Sequence, residues 1–161
     1  MSRHRYTLAC TLFLALWMAG CDDAPRQVAG PVFADGAAIF TVVNVSPTEF
    51  KAGETVNVRV QAHNPTAEPI TLHFASGCLV GFSIKASDGT VVGPSGFICT
   101  MDAPTVVLGP GEDIAQTFRW DGRARTDFGP VLPPGEYHIT GKLNAAESHD
   151  PSAPVTVKIL P

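Results

Sequence analysis

The sequence predicts an all-β protein: an immunoglobulin-like antiparallel β-sandwich standing behind a leader and a short tether. Three observations predict it. The stretch Val56-Asn-Val-Arg-Val-Gln-Ala62 alternates apolar and polar residues strictly, which is the period of a strand with one buried face. Turn-forming pairs recur between such stretches: Ser46-Pro47, Ala52-Gly53, Asn64-Pro65, Asp88-Gly89, Pro110-Gly111, Asp121-Gly122 and Pro134-Gly135. No segment of helical length carries an apolar stripe at 3.6-residue spacing. Short strands separated by turns at this spacing build two packed sheets, with a closed barrel as the structural alternative.

The elements follow in order. A first strand is expected at Ile39–Val45 and a second at Val56–Ala62, with the four apolar residues of the latter on one face. Ile70, Leu72 and Phe74 alternate with Thr71 and His73 in a third. Further strands read at Phe82–Ala86, Thr90–Val92, Val106–Leu108, Ile114–Trp120, Tyr137–Leu143 and Val155–Ile159. Pro133-Pro134-Gly135-Glu136-Tyr137 sets an aromatic ring just after a tight turn, the arrangement of a tyrosine corner, in which the phenol bonds the backbone upstream. Trp120 ends its strand before Asp121-Gly122, and its ring is expected on the rim of the core.

The N-terminus carries a different signal. Arg3, His4 and Arg5 precede an apolar run, Leu8 to Met18, and then Ala19-Gly20-Cys21. A basic head, an apolar middle too short to span a bilayer and a small-residue ending make a secretory leader over residues 1–20. The ending resembles the lipobox of bacterial lipoproteins. That resemblance implies acylation of Cys21, including palmitate, and cleavage just before it. Residues 21–36, rich in Asp, Ala, Pro and Gly, read as a tether, and residues 37–161 as the sandwich domain. The expected location is the cell membrane, lipid-anchored and facing outside the cytoplasm. In a Gram-negative cell, Asp22 and Asp23 point to the periplasmic face of the inner membrane.

Composition narrows the function. Loss of the leader removes Arg3 and Arg5, so nine of the eleven basic residues face fifteen acidic ones and the formal charge falls from −4 to −6. No Lys/Arg cluster is left to grip phosphates, which excludes nucleic acid as a partner class. Cys10 leaves with the leader and Cys21 takes the lipid. Cys78 and Cys99 remain, and in an exported domain two free thiols pair. A loop of that length contributes about 3 kcal/mol in the chain-entropy view. The bridge is expected to staple the Phe82–Ala86 hairpin region to a strand containing Ile98. A copper or zinc site is the rival use of the two cysteines. It would need His63, His73, His138 or His149, and Met101 in the copper case, at spacings the sequence does not offer. No metal and no other cofactor is expected.

Catalysis finds no motif. Ser76-Gly77-Cys78 and Ser95-Gly96 lack the strand–elbow–helix setting of a nucleophile. His73 and His138 stand at outward strand positions, and Glu112, Asp113, Asp102 and Asp127 have no partner at a diagnostic spacing. The expectation is a non-catalytic protein.

A succession of motifs then points to a family. Val56–Asn64 ends in Asn-Pro; Ile70-Thr-Leu-His-Phe74, Phe82-Ser-Ile-Lys-Ala-Ser-Asp-Gly89, Leu108-Gly-Pro-Gly-Glu112, Phe118-Arg-Trp-Asp-Gly122 and Leu132-Pro-Pro-Gly-Glu-Tyr137 follow. In this order, from Val56 to Leu143, they resemble the intracellular proteinase inhibitor (BsuPI-type) family. The resemblance implies an immunoglobulin-like sandwich and inhibition of a serine protease. The chain departs from that type in its leader, its lipidation signal and its cysteine pair, so a cytoplasmic protease is not the target implied. The expected role is a membrane-tethered envelope lipoprotein acting as a protein-binding module, with an envelope protein or protease as partner. The alternative is a structural accessory protein of the envelope without inhibitory activity. The loop Asp121 to Pro134 is the candidate binding surface. It carries Arg123, Arg125, Asp127 and Phe128 and ends in rigid prolines, and loops on rigid scaffolds are common recognition sites. An Arg there would suit an acidic specificity pocket.

Overall fold

A computed structural model describes residues 39–94, 97–124, 129–147 and 150–161. The leader, Cys21 and the tether lie outside the described residues. All described residues belong to one unit, Phe33–Pro161.

Ten strands form, and no helix is found among the described residues. They are β1 (Phe40–Ser46), β2 (Glu49–Lys51), β3 (Val56–His63), β4 (Ile70–His73), β5 (Val80–Ala86), β6 (Val91–Gly93), β7 (Thr105–Leu108), β8 (Asp113–Trp120), β9 (Gly135–Leu143) and β10 (Val155–Leu160). One sheet has the order β1-β3-β8 and the other β2-β10-β9-β5-β6, while β4 and β7 pair as a separate ribbon. The result is an all-β sandwich, and nearly every pairing is antiparallel. The exception is β2, which lies parallel to β10 through Ile159 opposite Phe50. Pro47 has no N–H to extend the β1 ladder. Just past it the chain crosses from the first sheet to the second.

The alternation in β3 decides how the sheets meet. Val56, Val58, Val60 and Ala62 are all fully buried, and Asn57 and Arg59 are exposed. The facing sheet supplies Phe82 and Ile84 from β5, Tyr137 and Ile139 from β9, and Val157 and Ile159 from β10. Each such side chain contributes about 1.5–3 kcal/mol on burial. The sheets approach closely at Gly141, where a Cβ would stand 3.0 Å from Val60 Cγ1 and 3.2 Å from Val43 Cβ. Trp120 departs from its expected place on the rim. It is 1% exposed, because Phe50 of β2 packs edge-on against it at 5.3 Å. Its Nε1 still finds a partner, the Arg123 carbonyl at 2.8 Å.

The open side of the sandwich, between β5 and β8, is filled from the long β6–β7 connection. Phe97 stacks against Phe82 and Phe118 at centroid distances of 5.5 and 5.1 Å. At the opposite end of β3, Asn64 is buried and organises three connections at once. Its Nδ2 donates to the carbonyls of Glu68, Leu108 and Gly109, and its Oδ1 accepts from the backbone N–H and hydroxyl of Thr66. Its own backbone bonds Glu112 and Gly111.

Candidate functional site

The loop from Asp121 to Pro134 leaves β8 at Trp120 and enters β9 at Gly135. Its two arms are clamped together. Leu132 N–H donates to the Gly122 carbonyl at 2.8 Å and Ala124 N–H to the Pro130 carbonyl at 3.0 Å, with Arg123 bridged to Val131 between them. Arg123 is part of the clamp. Its Nε donates to Asp121 Oδ2 at 3.0 Å and a terminal nitrogen to the Gly129 carbonyl at 3.1 Å. The Trp120 indole holds the Arg123 carbonyl from beneath. The base of the loop also rests on β6: a Cβ at Gly93 would collide with the Ala124 carbonyl. Arg125, Asp127 and Phe128 lie outside the described residues.

At the far arm, the Tyr137 hydroxyl donates to the Pro133 carbonyl at 2.8 Å, forming the tyrosine corner expected from the sequence. Burial pushes the phenol above its ordinary pKa. The corner fixes the direction in which the Pro133-Pro134 arm meets β9.

Cys78 and Cys99 form a disulfide, with Cα atoms 5.2 Å apart. Its setting differs from expectation. No strand contains Ile98; the segment from Phe97 to Pro104 is irregular and bends at Met101. The bridge therefore ties this segment to the β4–β5 connection rather than strand to strand. Pro94 and Pro104 bracket the segment and withhold donors from any ladder at those positions. That connection is itself held by Asn144, whose Nδ2 donates to the Cys78 carbonyl at 2.9 Å.

The three described histidines, His63, His73 and His138, are engaged rather than simply solvated. His73 Nδ1 lies 2.7 Å from Glu147 Oε1, and His63 Nδ1 lies 2.6 Å from Asp113 Oδ1. The hydrogen bond with His73 holds the Glu147 carboxyl well below the usual range, at about 2, with its own backbone and that of His73 adding to the effect. His138 Nδ1 lies 3.2 Å from Thr156 Oγ1. Glu112 accepts from Gly109 N–H at 2.7 Å. Among the described residues no group of three or more His, Cys, Asp or Glu could hold a metal ion. The sequence did not single out Asn64 beyond a turn, or Asn144 and Glu147 at all. Side chains that bond backbone far away in sequence leave no local pattern.

These elements define a class: an all-β sandwich that holds irregular loops rigid by hydrogen bonds, a tyrosine corner and a disulfide. The chain belongs to the intracellular proteinase inhibitor family, whose profile matches residues 43–148. No curated protein matches it. Among solved structures it is similar to a β-glucosidase of Erythrobacter marinus, at 16% identity and a TM-score of 0.47, over 77% of this chain and 16% of that one. An alkylpurine DNA glycosylase of Pseudomonas fluorescens aligns at 16% identity and a TM-score of 0.48, over 77% of this chain and 31% of that one. A β-glucosidase of Listeria innocua aligns at 17% identity and a TM-score of 0.44, over 77% and 16%. The chain spans less than a third of each, and no activity is carried over from them.

Proposed function

We propose that this chain is a lipid-anchored protein of the cell envelope whose sandwich binds and inhibits a serine protease outside the cytoplasm. Membership of a proteinase inhibitor family supports the activity. The observation that carries the reading to a surface is the clamped loop 121–134. A loop whose base is held by hydrogen bonds loses less entropy on docking than a free one, and this is how preorganised inhibitors gain affinity. Arg123 is spent on the clamp, and Arg125 is the second cation in the loop's sequence and the one to test as a partner contact.

The lipid part rests on the leader and on Cys21. Each buried methylene contributes about 0.8 kcal/mol, and two acyl chains anchor where one does not. Anchoring would keep the inhibitor beside the membrane, where secreted proteases emerge.

The test uses the full chain purified in detergent. Its intact mass reports acylation at Cys21, and titration against serine proteases of differing specificity reports inhibition. Stoichiometric inhibition that weakens in Arg125→Ala supports the reading. Arg123→Ala is expected to weaken it as well, by loosening the clamp. Rapid cleavage of the loop without inhibition ends it.

A further inference from the structure

The clamped loop leaves a second, separately braced surface unexplained. Among the described residues, Met101 and Ile98 are the two most exposed large hydrophobic side chains, at 95% and 93%. Scattered apolar residues on a surface are ordinary. These two are unusual in standing out from a backbone fixed on both sides of them.

On the N-terminal side, the Phe97 ring is packed between Phe82 and Phe118. Cys99 is bonded to Cys78, and the Thr100 carbonyl accepts from Gly77 N–H at 3.1 Å. On the C-terminal side, the Pro104 carbonyl accepts from Phe74 N–H at 3.0 Å. Every one of the last three anchors lies on the same short connection, residues 74–78. The chain from Thr100 to Ala103 is fully on the surface. The two backbones come close there: a Cβ at Gly77 would meet the Thr100 hydroxyl, which would have to turn away.

A backbone pinned on both flanks, bent outward and presenting one long apolar side chain has the form of a protease substrate that cannot leave. The primary pocket of a serine protease takes one side chain, and its walls decide which: acidic for Arg or Lys, a hydrophobic slot for large apolar residues. Met101 is unbranched and flexible, so it can thread such a slot. We propose that residues Ile98–Ala103 form a substrate-like docking segment, with Met101 entering the apolar primary pocket of a serine protease and Ile98 packing beside it. This rests on the inhibitor reading and gives it a specificity: proteases that prefer large apolar residues. Hydrolysis at the docked bond would break the Met101–Asp102 amide, consume one water and leave a carboxylate and an amine. The bridge and the two backbone bonds hold both new ends in place, so the products stay bound and the enzyme stays blocked.

The experiment titrates the full chain in detergent against trypsin, chymotrypsin and elastase, following residual activity and the masses of any fragments. Chymotrypsin is expected to be inhibited most strongly. Met101→Asp should weaken that inhibition at least about 30-fold, as loss of a buried anchor does, while Met101→Leu keeps it. Arg125→Ala should cost no more than about 10-fold, as expected for a contact outside the central pocket. Replacing Cys78 and Cys99 together by Ala should convert the segment into an ordinary substrate, cut after Met101. If Met101→Asp inhibits chymotrypsin as well as the native chain while Arg125→Ala does not, the segment is not the docking site and the inhibitor reading stands. If the native chain inhibits none of the three, both fall. Met101 is exposed, so its variants keep the fold.

Discussion

Replacing Asn64 by Ala is expected to destabilise the sandwich more than any other polar-to-alanine change at the turns. The side chain is fully buried and bonds three carbonyls and both polar groups of Thr66. The partner groups on Glu68, Gly109 and Thr66 regain water when the amide is removed, since those bonds are only half-buried. The Leu108 carbonyl does not, because its bond to Asn64 is buried. One stranded buried acceptor costs about 1–3 kcal/mol, and each of the four exchanged bonds about 0.5–1 kcal/mol. The sum is about 3–7 kcal/mol. For a domain of this size each kcal/mol moves Tm by about 3–5 °C, so a fall of about 10 °C or more is expected. Thermal unfolding by circular dichroism measures it, and urea unfolding should show a lower midpoint with an unchanged slope. Thr66→Ala, which leaves Asn64 in place, should cost less than about 1 kcal/mol. A fall below about 3 °C for Asn64→Ala would refute the reasoning, because it would mean that the three connections stay together without the amide.

The remaining predictions concern the bridge, an acid-sensitive pair and the loop's support. Replacing Cys78 and Cys99 by Ser should lower stability by about 3 kcal/mol, since the bridge closes a loop over a sequence separation of 21; denaturant unfolding with and without reductant checks it, and reduction should leave the double variant unchanged. Glu147 has its pKa lowered from 4.5 to about 2 in the folded chain, so its contribution is present above pH 4.5 and fades as pH falls through the folded value. Melting curves from pH 6 to pH 2 should therefore fall less steeply for Glu147→Gln than for the native chain, and parallel curves would count against the His73–Glu147 link. Gly93→Ala should push the Ala124 carbonyl aside and loosen the loop clamp; amide exchange at Ala124 and Leu132 should speed up while the β3 amides stay protected.

Much of the fold could be read from local patterns, and the misses share a cause. The β3 pattern predicted its buried face residue by residue, because a half-buried strand writes its orientation into a two-residue period. The tyrosine corner was legible because the turn and the ring are adjacent. Strand β2 was not legible: it has three residues, one of them buried, and exists through pairing with β10, more than a hundred residues away. With β2 unseen, Phe50 was missing as the cover for Trp120. The family motifs and the pairing of Cys78 with Cys99 were readable from residue types alone. The setting of that bridge was not, because irregular segments held by single backbone bonds carry no periodicity. For the same reason the loop 121–134 could be chosen as a surface, but Arg123 could not be recognised as a brace.

Docking of residues 98–103 in a protease cleft is tested most directly by amide hydrogen exchange. The full chain in detergent is mixed with chymotrypsin whose active-site serine has been replaced by alanine, and exchange is compared with the free chain. Protection centred on residues 98–103 is the result predicted. A tight complex that leaves those residues exchanging at their free rates, with protection on another face of the sandwich, would contradict it.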